Sequence, residues 1–205
     1  MFRFYHTHGK RLLDIAIAGL CILILSPLFI LTAIAVALTS RGSIILVQQR
    51  VGLDGKLFGM LKFRTMHVLP AQHTIAARAS NLASQGILLK VEHDPRVTPV
   101  GRIIRRFSLD ELPQLFNVLM GDMSLVGPRP LLPFMVQPYP AQNAERSKVR
   151  PGLTGLWQIS ARGQSSSLLQ MIDYDLRYSA NVSLTNDLRI ILSTLPVVLR
   201  GVGVK

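Results

Sequence analysis

The sequence predicts a membrane-associated α/β fold: an N-terminal apolar helical element, a small β-hairpin or sheet, and amphipathic helices suited to a membrane interface. Three observations carry this reading. Leu12 to Leu38 is apolar with Asp14 as its sole charge. Residues 43–64 switch to short β-prone stretches around a turn, and Pro99 to Phe107 sets apolar residues on one helical face and arginines off it. A chain of 205 residues suits one domain, 1–205, divided into a membrane element at 12–38 and a remainder at 43–205.

A straight helix over the apolar run would be about 40 Å long, enough to cross a hydrocarbon core of about 30 Å. Ser26-Pro27 stands at its middle, where proline removes a backbone hydrogen bond and crowds the preceding turn. Each half alone is too short to span. Two halves folded back at Ser26-Pro27 make a re-entrant hairpin; a kinked single span satisfies the same residues. Positive charge flanks both ends, with Arg3, Lys10 and Arg11 before the run and Arg41, Arg50, Lys56, Lys62 and Arg64 after it, so neither side is marked as outside.

Next, Ile44 to Val47 and Leu57 to Phe63 read as two strands joined through Gly52 to Gly55, whose Asp54 has turn chemistry. His67 to Gly86 is polar and Ala-rich without clear period, and reads as a partly helical surface insertion. Thr98-Pro99 looks like an N-cap followed by proline at the first helical position. Val100, Ile103, Ile104 and Phe107 share a face of that helix, with Arg102, Arg105 and Arg106 largely off it. Pro113 to Met120 predicts a short helix ended by Gly121. Gly127 to Pro140 holds five prolines and should be irregular but rigid. Ala141 to Val149 is a helix stopped by Pro151-Gly152, and Asp187 to Leu199 is a last amphipathic helix with Pro196 near its end.

Lys plus Arg total 23 against 11 Asp plus Glu, while 49% of residues are hydrophobic. A chain both basic and apolar, with a mean hydropathy of +0.35, suits anionic lipid or phosphorylated ligands better than nucleic acid. The single cysteine, Cys21, lies inside the apolar run, so there is no disulfide framework and no cysteine metal site. The run is too long for a signal-peptide core and carries no small-residue cleavage pattern.

Asp110 and Glu111 are the only adjacent carboxylates, and they follow Arg102, Arg105 and Arg106 directly. This setting favours ionised carboxylates beside bound phosphate. Ser108-Leu109-Asp110-Glu111 also fits a capping box, but Pro113 would then occupy a position needing an intrahelical donor, so the helix should start nearer Leu112. The cationic candidates are Lys62, Arg64, Arg129, Arg150 and Arg162. Arg129, between Pro128 and Pro130, is the most site-like, since a guanidinium on a restricted backbone is pre-organised for bidentate phosphate binding. Trp157 and Tyr178 could stack on a base or serve the core. The five histidines lack metal-ligand spacing, and no Gly-rich phosphate loop is present.

In order, the Ser26-Pro27 break, Lys62 to Met66, Asp94 to Thr98, Gly101-Arg102, Ser108 to Leu115, Gly121 to Pro130 and Arg150 to Gln158 resemble the monotopic phosphoglycosyl transferases. This is the bacterial sugar transferase family that starts capsule, O-antigen, exopolysaccharide and some glycoprotein glycan assembly. The likeness covers nearly the whole chain and implies a catalytic core without the extra membrane domain of larger members. It also implies the re-entrant hairpin, at the cytoplasmic face of the bacterial inner membrane. By the resemblance, Asp110 is the nucleophile toward a UDP-sugar, Glu111 its partner in metal and proton handling, and Mg²⁺ the cofactor held by both. Arg129 is the Pro-Arg-Pro arginine, and Lys62, Arg64, Arg102 and Arg150 meet phosphates. The implied partners are a UDP-sugar, polyprenol phosphate and phospholipid, with a homodimer allowed and nucleic acid excluded.

Two departures bear on donor recognition and membrane contact. The stretch after Met66 is commonly acidic in such proteins, but here no acid appears until Glu92; Ser179-Ala180-Asn181-Val182 stands where relatives often have an acid and a tryptophan. Two other classes fit the sequence less well. A two-carboxylate glycoside hydrolase needs carboxyls on opposite sides of the bond, which adjacent residues cannot easily supply. A non-catalytic basic membrane adaptor binding anionic lipid would tolerate loss of Asp110 and weaken sharply with salt.

Overall fold

The computed structural model describes residues 5–67, 94, 96–160 and 167–199. A single turn at Tyr5–Gly9 leads into α1 (Lys10–Thr39), followed by β1 (Ile45–Val51) and β2 (Leu57–Phe63). Then come α2 (Pro99–Arg106), a 3-10 turn at Leu109–Glu111, α3 (Gln114–Met120) and β3 (Ser124–Val126). The chain ends with α4 (Pro133–Val136), α5 (Pro140–Arg146), β4 (Gly152–Thr154), α6 (Leu156–Ser160), α7 (Leu168–Ala180) and α8 (Leu184–Leu199). The expected insertion after His67, Arg162 and both chain termini lie outside the described residues.

The structure shows α1 as one helix with Pro27 inside it, not as two antiparallel halves. Pro27 cannot donate to the carbonyl four residues back, that of Leu23, and the Ser26 hydroxyl donates to that carbonyl instead at 2.8 Å. A hydroxyl taking over a freed carbonyl is what lets a helix continue through proline where water is scarce. One face of α1 packs on the body of the protein. Asp14, Ala18, Thr32 and Val36 are buried there, while Leu12, Leu23, Ile24, Leu31 and Leu38 are exposed. Asp14, the single charge of the run, accepts from the Ser124 hydroxyl at 3.0 Å and the Leu125 N–H at 2.9 Å, which ties the helix to β3.

Both ends of α1 contact the same body. Near its start, the Arg11 guanidinium donates to the carbonyls of Val118 and Leu119, at the C-terminal end of α3. Midway, the Phe29 ring meets those of Phe116 and Phe63 edge-on, with centroids 5.8 and 6.1 Å away. At its end, Arg64 donates to the Ser40 hydroxyl and carbonyl and to the Ser43 carbonyl.

The hairpin forms as expected and in the register Leu46↔Lys62, Gln48↔Met60, Arg50↔Phe58. Thr98 caps α2 by accepting from Gly101 N–H at 2.8 Å. A Cβ on Gly101 would stand 2.2 Å from the Thr65 carbonyl oxygen, so only glycine lets α2 approach so closely. The β3–β4 pair is parallel and was not legible in the sequence, because each strand has only three residues. There a Cβ on Gly152 would lie 2.0 Å from the Gly127 nitrogen.

Asn117 on α3 is fully buried. Its side chain accepts from Leu61 N–H and donates to the Gly59 carbonyl, each at 2.9 Å, as a neighbouring strand would. Asn117→Ala would leave a buried donor and acceptor of β2 unpaired, so we expect it to cost roughly 2–4 kcal/mol of stability. A thermal or denaturant midpoint in detergent checks this, and an unchanged midpoint would refute the role.

Candidate active site

The carboxylates Asp110 and Glu111 sit on the 3-10 turn between α2 and α3. Ser108, just before it, adopts left-handed backbone angles (φ 55°, ψ 23°) and its side chain does not cap the turn, so the capping box is not formed. A non-glycine residue in this region carries strain of about 1–3 kcal/mol. The left-handed residue redirects the chain out of α2 so that both carboxylates meet Lys62 on β2. The Lys62 ammonium is 3.1 Å from Glu111 Oε1 and 3.8 Å from Asp110 Oδ2.

Beside this pair lies an open cleft of about 230 Å³, lined by Arg50, Met60, Lys62, Glu111, Arg129 and Pro130 among others. Arg129 reaches it from the loop after β3, its NH2 group 3.9 Å from Glu111 Oε1. That loop is fixed peptide by peptide. The Pro128 carbonyl accepts from Gly152 N–H, the Pro130 carbonyl from Arg50, and the Leu131 carbonyl from Val51 N–H. Arg129 itself is gripped by a buried ion pair: Arg146 and Asp175 meet at 2.5 Å. Arg146 donates to the Arg129 carbonyl at 2.6 Å, and Asp175 accepts from the Arg129 N–H at 3.4 Å. The Arg129 guanidinium lies 5.7 Å from the Trp157 ring centre. Its rigidity thus comes from distant partners as much as from its two prolines.

Of the expected cations, Lys62 and Arg129 are brought to the carboxylates, and three are not. Arg64 spends its donors on Ser40 and Ser43, closing the exit from α1. Arg150 donates to the Gly121 carbonyl at 2.8 Å, at the far end of α3. Arg102 is exposed on α2 and outside the cleft lining. Arg105 takes the place expected of Arg102: it donates to the Thr65 hydroxyl at 2.8 Å and its charge bears on Asp110. Trp157 and Tyr178 are buried, Trp157 against Leu131 and Leu168, Tyr178 with its hydroxyl donating to Asp187, and so belong to the core. Arg50, Arg146 and Asp175 were missed as site residues. Arg50 was accessible through hairpin parity, since a residue pairing with Phe58 shares a face with Lys62; Arg146 and Asp175 carried no local signal.

Burial raises the Asp110 carboxyl above the usual carboxylate range; Lys62 opposes this, Glu111 adds to it and Arg105 counters it. Such a carboxylate is both more basic and more nucleophilic than a solvated one. On Arg50, burial and then the like charge of Arg129 work against the charged form, with Glu111 helping it.

The bacterial sugar transferase family profile matches residues 5–201. This chain belongs to that family. It is 40% identical, over all of its length, to the galactosyl transferase CpsE of Streptococcus agalactiae, of which it spans 45%. It is 41% identical over 93% of its length to the exopolysaccharide production protein ExoY of Sinorhizobium fredii, spanning 85% of that protein. With the undecaprenyl-phosphate galactose phosphotransferase of Salmonella typhimurium it shares 42% identity over 95% of its length, spanning 41% of that relative.

Two expectations follow for this chain. A carboxyl whose folded value is raised adds stability that is present at low pH and lost as pH rises through that value. Metal-free Asp110→Asn should therefore melt higher than the parent at pH 7, and the gap should close toward pH 4; a lower melting point at pH 7 would refute the buried-charge account. Asp175→Ala leaves Arg146 buried without its carboxylate and should cost about 3–5 kcal/mol, seen as a large fall in thermal midpoint.

Proposed function

We propose that this chain transfers a phosphosugar from a UDP-sugar to undecaprenyl phosphate or a similar polyprenol phosphate, giving polyprenol-diphosphate-sugar and UMP. The observation that carries the reading is Asp110: a half-buried carboxylate with a raised proton affinity, beside Lys62 and next to a cleft lined by Arg50, Glu111 and Arg129. Nucleophile and phosphate-binding cations thus meet in one place. Relatives named for UDP-glucose:undecaprenyl-phosphate glucose-1-phosphate transfer, such as that of Caulobacter vibrioides at 43% identity, support the substrate class.

In this reading an Asp110 carboxylate oxygen attacks the sugar-bearing phosphorus. The bond from that phosphorus to the bridging oxygen breaks, and UMP leaves with the electron pair. A phosphate oxygen of the polyprenol phosphate then attacks the same phosphorus, the acyl phosphate bond breaks, and the Asp110 carboxylate is restored. Lys62 and Arg129 hold the phosphoryl oxygens, where charge grows in the transition state, and Glu111 handles the acceptor proton.

Asp110 and Glu111 each place a carboxylate oxygen near the Lys62 ammonium, at 3.8 and 3.1 Å, and such a pair is the donor set that would hold Mg²⁺, which takes one or two protein carboxylates and fills its shell with water and substrate phosphate. Bound there, it would supply charge neutralisation of the diphosphate. The apolar outer face of α1, together with exposed Ile103 and Phe107 on α2 and Phe116 and Met120 on α3, supports insertion into the cytoplasmic leaflet of a bacterial inner membrane. The hold of one body on both Arg11 and Ser40 supports a reading in which the two ends of α1 stay on one side of the membrane.

Enzyme mixed with its UDP-sugar and Mg²⁺, without acceptor, should release UMP in a burst no larger than the enzyme concentration. The peptide containing Asp110 should gain the mass of one phosphosugar and lose it on adding polyprenol phosphate. Asp110→Asn should reduce transfer below a few per cent while still entering the membrane. UMP release only with acceptor present, and no trapped adduct, would assign Asp110 and Glu111 to metal binding alone. Labels attached at Met1 and Lys205 should both react from the cytoplasmic side; a start reachable only from outside would establish a single span.

A further inference from the structure

Arg50 has no part in the site as the sequence outlined it, yet its position is unusual. Leu46, Gln48 and Arg50 on β1 share a face of the hairpin with Lys62, Met60 and Phe58 on β2. Arg50 and Lys62 therefore enter the cleft from the same sheet face, with Met60 in its wall between them. Arg129 and Pro130 come in from the loop after β3, and Glu111 from the turn before α3.

The guanidinium of Arg50 is fixed by neutral acceptors. Nη1 donates to the Pro130 carbonyl at 3.1 Å and Nη2 to Gln48 Oε1 at 2.6 Å. Among the described residues its Nε–H is buried and has no hydrogen-bond partner. A second guanidinium, that of Arg129, lines the same cleft. Two like charges held together with one donor unspent are unfavourable alone, and an oxyanion between them relieves both costs. Guanidinium donors match phosphate oxygens better than a lone ammonium does.

The hairpin register orders the cations along the cleft. Lys62 pairs with Leu46 next to Phe63, which packs against α1, whereas Arg50 lies four residues further along β1, about 13 Å from that pair. In the proposed reaction the lipid-borne phosphate would come from the α1 side, nearer to Lys62. Arg50 faces the other half of the cleft.

We infer that Arg50 and Arg129 together seat the phosphate of the leaving nucleotide, the one next to the phosphate that Asp110 attacks. The inference rests on the proposed transfer reaction and adds the residue that holds its leaving group. Arg50 would act on UMP and the donor, with little effect on the lipid acceptor.

The test measures equilibrium binding of UMP, and separately of a polyprenol phosphate, to the purified full chain in nanodiscs. It compares the parent with Arg50→Gln and Arg50→Lys. We expect Arg50→Gln to weaken UMP binding at least tenfold and polyprenol phosphate binding less than twofold. Arg50→Lys, which keeps the charge but loses the fork, should weaken UMP binding several-fold and guards against misfolding of the glutamine variant. UMP affinity equal to the parent in both variants would overturn the inference. Loss confined to polyprenol phosphate would also overturn it and give the seat to the acceptor. If the parent itself bound no UMP, the transfer reaction would fail, which is a separate result from failure of Arg50.

Discussion

Asn117 completes the edge of β2 with a side chain, its amide pairing with the backbone of Leu61 and Gly59 in the way a third strand would. Its own carbonyl also takes the N–H of Gly121, so the same residue ends α3. This places β2 against α3 at a fixed height, and Lys62 is the next residue along the strand from Leu61. The carboxylates of Asp110 and Glu111 stand just before α3. Slippage of β2 by one residue would turn Lys62 to the opposite sheet face and separate it from both. An amide suits this task because it offers both a donor and an acceptor in one plane, without burying a charge.

Around that fixed point the site is assembled from groups whose burial is costly singly. The Arg146–Asp175 pair is almost wholly buried and would contribute little net stability as an isolated ion pair. Its value lies in what it holds: both polar groups of the Arg129 peptide are bound to it. Burial raises Asp175, against the pull of Arg146, so the carboxylate depends on its arginine to stay charged. The left-handed Ser108 stores strain in the same neighbourhood. Strain, buried charge and crowded cations gather where phosphate chemistry is proposed, while the hairpin and the helices around it follow ordinary rules of pairing and capping.

The apolar helix obeys a different constraint. Among the described residues nothing covers its outer face along most of its length, and its inner face carries its only acid. Turning Asp14 toward Ser124 and Leu125 satisfies the carboxylate inside the protein and leaves an uninterrupted hydrocarbon surface outside. A network of Tyr5, Lys10 and Tyr178 around the buried Asp187 fastens the start of α1 to α7 and α8. The apolar helix is therefore locked to the rest of the protein at both ends, so that its outer face and the cleft keep one spatial relation.

By itself the sequence determined the elements that depend on near neighbours. The hairpin around Asp54, the Thr98 cap, the glycine stop at Gly121 and the apolar run were all legible, because each is set by contacts within a few residues; the proline stretch from Gly127 to Pro140, expected to be irregular, holds the short helix α4. The ordered motifs also identified the family and singled out Asp110, Glu111, Lys62 and Arg129. Only the tertiary structure decided which cations face the carboxylates. Arg64 and Arg150 read as phosphate ligands in the sequence but cap backbone carbonyls, because an arginine fork binds a carbonyl row as readily as a phosphate. Arg146 and Asp175 carried no local mark, since they lie 29 residues apart and Arg146 holds the Arg129 carbonyl from 17 residues away, while Arg50 was marked only by its parity in the hairpin. The continuity of α1 through Pro27 was likewise settled by one hydroxyl reaching one freed carbonyl, a geometry that residue spacing permits but cannot choose.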